Sequence, residues 1–220
     1  MRVFLVRHGE SYSNAHPEAL ALPDAEGDRL TPVGVEQASA AGRYMAGAGV
    51  KRLITSPARR ATQTAARIAE EIGLEPELND GIHELRESSG YEALPPEEQR
   101  LQRWSVWMAG HGNDPDYAPP GGESFNGVMA RVRRFQRELA ELPEGPVLAV
   151  THGIFLRFFL IHSLLGERFG AADVPRLWQL STANAGISVF AHGEPWQKDR
   201  ADDPAGWVCL SWMSRPWDSP

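Results

Sequence analysis

The stretch VFLVRHGESYSN, from Val3 to Asn14, places an apolar run directly before charged and polar residues. The run has no polar alternation, which is typical of a strand that is covered on both faces, as in a parallel sheet. Ligands of open α/β sheets collect beyond the carboxyl ends of such strands. Here that end carries Arg7, His8 and Gly9. Because a guanidinium suits a phosphate and a glycine lets an anion approach the backbone, the stretch predicts an anion pocket with a nucleophile or base inside it.

A second apolar run, Val147 to Val150, ends in the same way, with Thr151, His152 and Gly153. If both strands lie in one parallel sheet, the imidazoles of His8 and His152 emerge at the same edge. A single histidine after a strand is equally consistent with a hydrogen-bonded structural residue. The repetition of strand, histidine and glycine favours a shared site.

The bulk composition fits one domain over residues 1–220, since 220 residues with 42% hydrophobic residues allow a sizeable core. The net charge of −7 argues against a nucleic-acid or anionic-membrane partner and favours a small phosphorylated metabolite in a local basic pocket. One cysteine, Cys209, excludes an intramolecular disulfide and a Cys-rich zinc site. The first residues carry no secretory signal pattern, so we expect a soluble cytoplasmic protein, with oligomers possible.

Two helix starts follow the polar loop after Asn14. Thr31 as N-cap with Pro32 at the first helical position predicts one helix. Ser56 as cap with Pro57 as first residue predicts another, which places Arg60 in its first turn. A cation at that position is opposed by the helix dipole, so Arg60 calls for a functional explanation.

Strands and helices alternate along much of the chain, and this predicts an α/β fold: three layers, with a mostly parallel sheet and helices on both faces. The segment at about 82–120 differs in composition, with five prolines and the aromatic residues Trp104, Trp107 and Tyr117. We interpret it as an inserted lid over the sheet edge, the alternative being an ordinary surface subdomain.

The predicted pocket holds two arginines and two histidines, with three further polar candidates: Arg7, His8, Arg60 and His152, then Asn14, Glu84 and Glu10. Two histidines and a carboxylate could also ligate a metal. The arginines favour a phosphate instead, because guanidinium groups repel a divalent cation and attract a phosphate dianion. We therefore expect no metal and no cofactor.

The chain resembles the histidine phosphatase superfamily, which includes the cofactor-dependent phosphoglycerate mutases. The resemblance rests on five motifs in order: RHGES with Asn14, LTPVGVEQA at 30–38, SPARRATQTA at 56–65, PGGES at 120–124 and VTHG at 150–153. It implies that His8 is the nucleophile that becomes phosphorylated. It also implies that Arg7, Asn14, Arg60, His152 and Gly153 surround the phosphoryl group, with His152 part of the catalytic set.

The resemblance further implies a carboxylic acid as proton donor, and Ile82-His83-Glu84 matches the family's L-x-E pattern best. A donor is needed because an alkoxide is a poor leaving group at neutral pH. In the mutases an Arg-x-Tyr-Gly stretch follows the donor closely, but here the spacing from Glu84 to Gly90 is longer, which leaves Glu87 as an alternative donor.

The mutases also carry Asn-Ser-Leu-Arg after the second His-Gly, where this chain has Ile154-Phe155-Leu156-Arg157. These departures favour a phosphatase for small phosphomonoesters over a mutase. A third reading, an inactive protein that only binds a phosphorylated ligand, stays open and is disfavoured by the presence of every matched site residue.

Overall fold

A computed structural model describes residues 1–16, 27–86, 98, 114–143, 145–193 and 206–218 of the chain. Its centre is a six-stranded sheet with the strand order β3-β2-β4-β1-β5-β6. The strands are β1 (Arg2–Arg7), β2 (Arg52–Thr55), β3 (Pro76–Leu78), β4 (Val147–Thr151), β5 (Ile187–His192) and β6 (Trp207–Ser214). The five helices that we number are α1 (Tyr12–Ala15), α2 (Pro32–Met45), α3 (Arg59–Ile72), α4 (Phe125–Ala140) and α5 (Gly153–Leu165).

The sheet is mostly parallel, as predicted. β1 pairs in parallel with β4, and β2 pairs in parallel with both β4 and β3. Within the described residues, β5 is the strand that runs against its neighbours, since it is antiparallel to both β1 and β6. The carboxyl ends of β1, β4 and β2 therefore lie side by side.

Helices cover both faces of the sheet, because the pleat sends successive strand residues to opposite sides. On one face Leu5 of β1 belongs to the same core cluster as Phe135 of α4 and Phe159 of α5. On the other face Val6 packs in a cluster with Ala41 of α2 and further residues of α3. The predicted three-layer α/β class is confirmed.

The helix starts show one confirmed prediction and one error. Thr31 is the N-cap of α2, and its side chain accepts a hydrogen bond from the Gly34 N–H. Helix α3, in contrast, begins at Arg59 and not at Pro57, and its first N–H donates to the carboxylate of Asp28 at 2.7 Å. Asp28 thus accepts the first helical N–H, the role that the sequence assigned to Ser56, whose hydroxyl accepts from the N-cap residue Ala58 at 3.4 Å and lies 2.7 Å from His152 Nε2.

The predicted lid at about 82–120 lies mostly outside the described residues, and so do Trp104 and Trp107. Tyr117 is described and is 37% exposed. Among the residues that the structure describes, no helix has the length and apolar character needed to cross a membrane.

Candidate active site

His8 follows the last residue of β1 and is only 2% exposed. Its backbone N–H donates to the Thr151 carbonyl at 2.9 Å, which ties the residue to the end of β4. The ring Nδ1 lies 2.7 Å from the Gly9 carbonyl oxygen. A carbonyl only accepts, so Nδ1 carries the proton and Nε2 keeps its lone pair. His8 thus presents its nucleophilic nitrogen away from its own backbone.

Arg60, the second residue of α3, faces that lone pair. Its Nε donates to His8 Nε2 at 3.1 Å, and its Nη2 donates to His152 Nδ1 at 3.0 Å. The third nitrogen, Nη1, forms an ion pair with Asp28. The planar guanidinium therefore spans both imidazoles, and the carboxylate at its back offsets the unfavourable position of a cation at a helix N-terminus.

His152 is fully buried and is the N-cap residue of α5. Because its Nδ1 accepts from Arg60, its Nε2 carries the proton, which it donates to the Ser56 hydroxyl at 2.7 Å. The ring centroids of His8 and His152 lie 5.2 Å apart. The sequence prediction that both imidazoles emerge at one edge is correct.

Both imidazoles are held neutral. Burial, together with the positive charges of Arg60 and Arg7, places the pKa of His8 well below its ordinary value. Burial followed by Arg60 does the same to the pKa of His152. The same guanidinium between the rings opposes binding of a divalent metal there, because it occupies both inward nitrogens and carries a positive charge.

Arg7 donates from Nη1 to the Thr182 carbonyl at 2.8 Å. Its Nε is buried and has no hydrogen-bond partner in the described part of the chain. Burial lowers the pKa of Arg7, and the negative charge of Glu84 acts against that effect. A buried donor without a partner, beside a neutral imidazole, is suited to an incoming anion.

Gly153 leaves the space that Arg7 needs. A Cβ at this position would lie 3.0 Å from Thr182 Oγ1 and 3.3 Å from Arg7 Nε. The residue also begins α5, and a helix N-terminus favours negative charge. The second His-Gly pair thus places its glycine against the first strand's arginine.

Asn14 lies at the open side of the site and is exposed. Its Oδ1 accepts from the Asn184 side chain at 3.0 Å and lies 3.4 Å from the Ser11 N–H. Glu10, the remaining polar candidate, is directed elsewhere, since its carboxylate accepts from the Thr31 hydroxyl at 2.7 Å.

Glu84 lies at the N-terminus of α5. Its Oε1 accepts from the backbone N–H groups of Leu85 at 3.0 Å and Phe155 at 3.1 Å, and its Oε2 accepts from Ile154 at 3.2 Å. Its charge is among the causes that shift the pKa of Arg7 and of Arg157, so it belongs to the same electrostatic group. The alternative donor, Glu87, lies outside the described residues.

The segment before Glu84 is held by Arg131 of α4, which is 9% exposed. Its Nη1 donates to the carbonyls of Gly81 at 2.8 Å and His83 at 3.1 Å. Its Nε and Nη2 form a two-pronged ion pair with Glu123, at 2.6 and 2.7 Å. The glutamate of the PGGES motif therefore acts through Arg131 on the backbone that presents Glu84.

Sequence reasoning missed several residues that hold the site together: Asp28, Ser56, Thr64, Glu123, Arg131, Thr182 and Asn184. Three of them, Ser56, Thr64 and Glu123, belong to the motifs quoted above, and their place in a motif could have indicated a role in the site. Thr64, for example, accepts from the Gly9 N–H at 2.9 Å and donates to the Arg60 carbonyl at 2.7 Å, so it joins the first motif to the third. Asp28 and Asn184 lie outside the motifs and carried no such signal.

Comparison with known proteins agrees with this arrangement. A family model described as histidine phosphatase superfamily (branch 1) matches residues 3–200. A protein named "Probable phosphoglycerate mutase GpmB" from Yersinia enterocolitica is 34% identical over 174 residues, which cover 76% of this chain and 75% of that protein.

Two solved structures resemble the fold over nearly the whole chain. The first, named "Mycobacterial hydrolase 1", is 25% identical, covers 97% of this chain and 98% of its own, and has a TM-score of 0.68. A phosphoserine phosphatase from Entamoeba histolytica in complex with 3-phosphoglyceric acid is 21% identical, covers 98% of both chains and has a TM-score of 0.71. The resemblance seen in the five motifs is confirmed by the family model, and the chain belongs to the histidine phosphatase superfamily.

Proposed function

We propose that this protein hydrolyses small-molecule phosphomonoesters through a phosphohistidine formed at His8. The observation that carries the proposal is the state of His8 Nε2: an unprotonated, buried nitrogen that faces the guanidinium of Arg60. A neutral imidazole is a sufficient nucleophile once the charge of the phosphate oxygens is neutralised. Membership of the superfamily supports the same chemistry.

Substrate binding replaces protein contacts with contacts to the phosphoryl group. Its oxygens take the N–H groups that Arg60 gives to the two imidazoles, and they add the unpartnered Nε of Arg7. Asn14 adds a neutral donor, and the start of α5 at Gly153 adds its dipole. His152 donates to the phosphoryl group once its proton moves from Nε2 to Nδ1, with the Ser56 hydroxyl then donating to Nε2. Arginines thus carry the charge neutralisation that metal ions carry in many phosphoryl-transfer enzymes.

The reaction then has two displacements at phosphorus. His8 Nε2 forms the P–N bond while the ester P–O bond breaks, and the departing oxygen takes a proton from the carboxylic acid form of Glu84. Water next attacks phosphorus, its proton returns to the Glu84 carboxylate, and the P–N bond breaks. Inorganic phosphate leaves and His8 returns to its neutral form.

Hydrolysis is favoured over mutase activity by the residues after His152. The ring of Phe155 is fully buried in the core, 6.2 Å from the ring of Phe135, so it offers nothing to a substrate carboxylate. The backbone N–H groups of Ile154 and Phe155 are already donated to Glu84. Mutase activity is the second candidate, because the relative at 34% identity carries a mutase name.

The proposed substrate class is a small phosphorylated metabolite, and Trp104, Trp107 and Tyr117 of the segment at about 82–120 favour an alcohol portion with apolar or ring surface. Two solved structures of the fold are complexes with phosphoserine and with 3-phosphoglyceric acid, which are phosphomonoesters of this size. The cytoplasmic location, the absence of nucleic-acid partners and the possibility of oligomers stay predictions from the sequence.

The test is capture of the phosphoenzyme with a 32P-labelled aryl phosphate in the presence of excess EDTA. We expect turnover and an acid-labile, alkali-stable label, both lost in His8→Ala. The matched control is His192→Asn, which removes a histidine at the other end of the sheet. The backbone carbonyl of His192 accepts from the Met1 ammonium there. This variant should keep both turnover and the label. A label that persists in His8→Ala would overturn the assignment, and phosphate binding without turnover would indicate a binding protein.

A further inference from the structure

We propose that Asn184 is a positioning residue that fixes the amide of Asn14 so that its NH2 group faces the phosphate. Asn184 lies in the loop 181–186 before β5, outside the five motifs quoted above. The inference rests on the proposed function, since it concerns a ligand of the transferring phosphoryl group.

The orientation of the Asn184 amide follows from its neighbour. The Nδ2 of Asn184 lies 3.3 Å from the carbonyl oxygen of His8. A backbone carbonyl can only accept a hydrogen bond, so the nitrogen end of the Asn184 side chain must face it. The amide cannot turn over without placing two oxygens against each other.

The orientation of Asn14 follows in turn. The same Nδ2 of Asn184 lies 3.0 Å from Asn14 Oδ1, and the two hydrogens of the NH2 group serve the two acceptors. The N–H of Ser11 also points at Asn14 Oδ1, at 3.4 Å. The oxygen end of Asn14 is thus fixed by two donors, and its Nδ2 has no hydrogen-bond partner in the part of the chain that the structure describes.

The loop that carries Asn184 is itself tied to the first strand. The N–H of Ala185 donates to the His8 carbonyl at 3.2 Å, and the N–H of Arg7 donates to the Gly186 carbonyl at 3.1 Å. Ala185 is fully buried and has a φ of 54°, a left-handed conformation that is unfavourable for a non-glycine residue. The loop therefore holds Asn184 in place at a conformational cost, against the backbone of the nucleophile.

This arrangement matters because an asparagine side chain has a hydrogen-bond donor at one end of its amide and an acceptor at the other. With its NH2 toward the substrate, Asn14 donates to a phosphate oxygen, whereas the turned amide would present a lone pair to an anion. Without Asn184, only the longer hydrogen bond from the Ser11 N–H, at 3.4 Å, favours this orientation of the Asn14 amide. A hydrogen bond to a charged group contributes enough that its loss weakens binding about tenfold.

The experiment measures the Kd of inorganic phosphate by calorimetry and the KM and kcat for p-nitrophenyl phosphate. The variants are Asn184→Ala, Asn14→Ala and the double variant, with Asn184→Leu as a second substitution that keeps the side chain's volume. Asn126→Ala is the matched control, because it removes a partly exposed asparagine whose side-chain NH2 donates to Asp116 on the surface. Circular dichroism and the melting temperature report folding of each variant.

We expect Asn184→Ala and Asn184→Leu to raise the Kd of phosphate and the KM about tenfold, and to lower kcat less. In the Asn14→Ala background the same change should alter kcat/KM less than about twofold, because its target is gone. An effect below about twofold in the wild-type background, or a factor that persists unchanged without Asn14, would overturn the inference. If the wild-type protein binds phosphate but hydrolyses no ester, the proposed function fails while the Kd values still test Asn184.

Discussion

The proposed nucleophile has to be a neutral imidazole, and burial and two arginines keep His8 in that form. Burial penalises the charged ring, and the cations Arg60 and Arg7 add to the penalty. The Gly9 carbonyl acts the other way and selects the tautomer. The lowered pKa keeps the ring of His8 neutral and therefore nucleophilic. It also makes the free energy of unfolding depend on pH.

The first prediction is that the protein loses stability below about pH 6.5. The pKa values of His8 and His152 are lower in the folded state than in the unfolded chain, so in this range the unfolded chain binds more protons. Stability is retained above the unfolded pKa and falls as pH drops toward the folded values. Each ring contributes a slope of up to about 1.4 kcal/mol per pH unit.

Urea unfolding at three pH values, about 7.5, 6.5 and 5.5, measures this slope. His83 and His162, whose pKa values are also lowered by burial, add to it in the same direction. His8→Asn should flatten the slope by up to about 1.4 kcal/mol per pH unit at the acid end of this range, whereas Asn126→Ala, which removes no titrating group, should leave it as it is. An unchanged slope in His8→Asn contradicts the proposed state of this ring.

The second prediction concerns Glu84. If this carboxyl protonates the leaving oxygen, Glu84→Gln should reduce kcat/KM for an alkyl phosphate by about 100-fold or more and for p-nitrophenyl phosphate much less, because nitrophenolate needs little protonation. The amide oxygen of the new side chain can still accept from the N–H groups of Leu85 and Phe155, whereas its NH2 group replaces the oxygen that accepts from Ile154. Equal losses on both esters would point to Glu87.

At the scale of elements, helix α2 holds the loop after His8 by direct backbone contact. A Cβ on Gly9 would lie 2.4 Å from the Gly34 carbonyl oxygen, and a Cβ on Gly34 would lie 2.0 Å from the Glu10 carbonyl oxygen. Gln37 of the same helix accepts from the Glu10 N–H at 2.9 Å. Two glycines thus allow the end of β1 to pass against the start of α2.

The third prediction is that Gly34→Ala moves α2 away from the loop. Backbone atoms cannot yield as a flexible side chain does, so we expect a loss of about 1–3 kcal/mol in the free energy of unfolding and about a tenfold loss or more in kcat/KM. The control is Gly47→Ala, just beyond the same helix, where an added Cβ meets nothing within 4 Å. Equal stability and activity in both variants would show that close packing at Gly34 is not needed to hold the loop after His8.

The elements also show how far sequence reasoning reaches. It predicted the strands that end at Arg7 and Thr151, and the convergence of His8, Arg60 and His152, because strand ends and helix starts are local patterns. It placed the start of α3 two residues early, because the acceptor that caps this helix, Asp28, lies 31 residues away in sequence. A contact between residues so far apart in sequence produces no periodic pattern from which it could be predicted.

For the whole molecule, the sheet order explains why one site draws on distant parts of the chain. β1 lies between β4 and β5, so His8, His152 and the loop before β5 meet at one edge. The result is a local concentration of guanidinium groups in a chain with a net charge of −7. The cations Arg7 and Arg157 each lie close enough to Glu84 for its charge to affect their pKa values.

The last prediction is that hydrolysis exceeds mutase activity. A mutase must hold a small carboxylate while its phosphoenzyme is kept from water. Arg86 or Arg157 could replace that contact, but the Nε of Arg157 donates to the Leu180 carbonyl at 2.9 Å and its guanidinium lies 4.9 Å from the Trp178 ring centre. Because the Arg157 side chain already has these two partners, it is poorly placed to bind the substrate carboxylate.

Incubation with 3-phosphoglycerate and 2,3-bisphosphoglycerate makes the comparison. We expect phosphate release from the best ester to be about ten times faster or more than formation of 2-phosphoglycerate, in wild type and in Arg157→Met alike. Faster isomerisation in the wild type that Arg157→Met abolishes would instead identify Arg157 as the missing carboxylate contact. In that case the Arg157 guanidinium would have to move away from the Trp178 ring when 3-phosphoglycerate binds. The fluorescence of Trp178, measured in a variant in which Trp178 is the sole tryptophan, would report this movement.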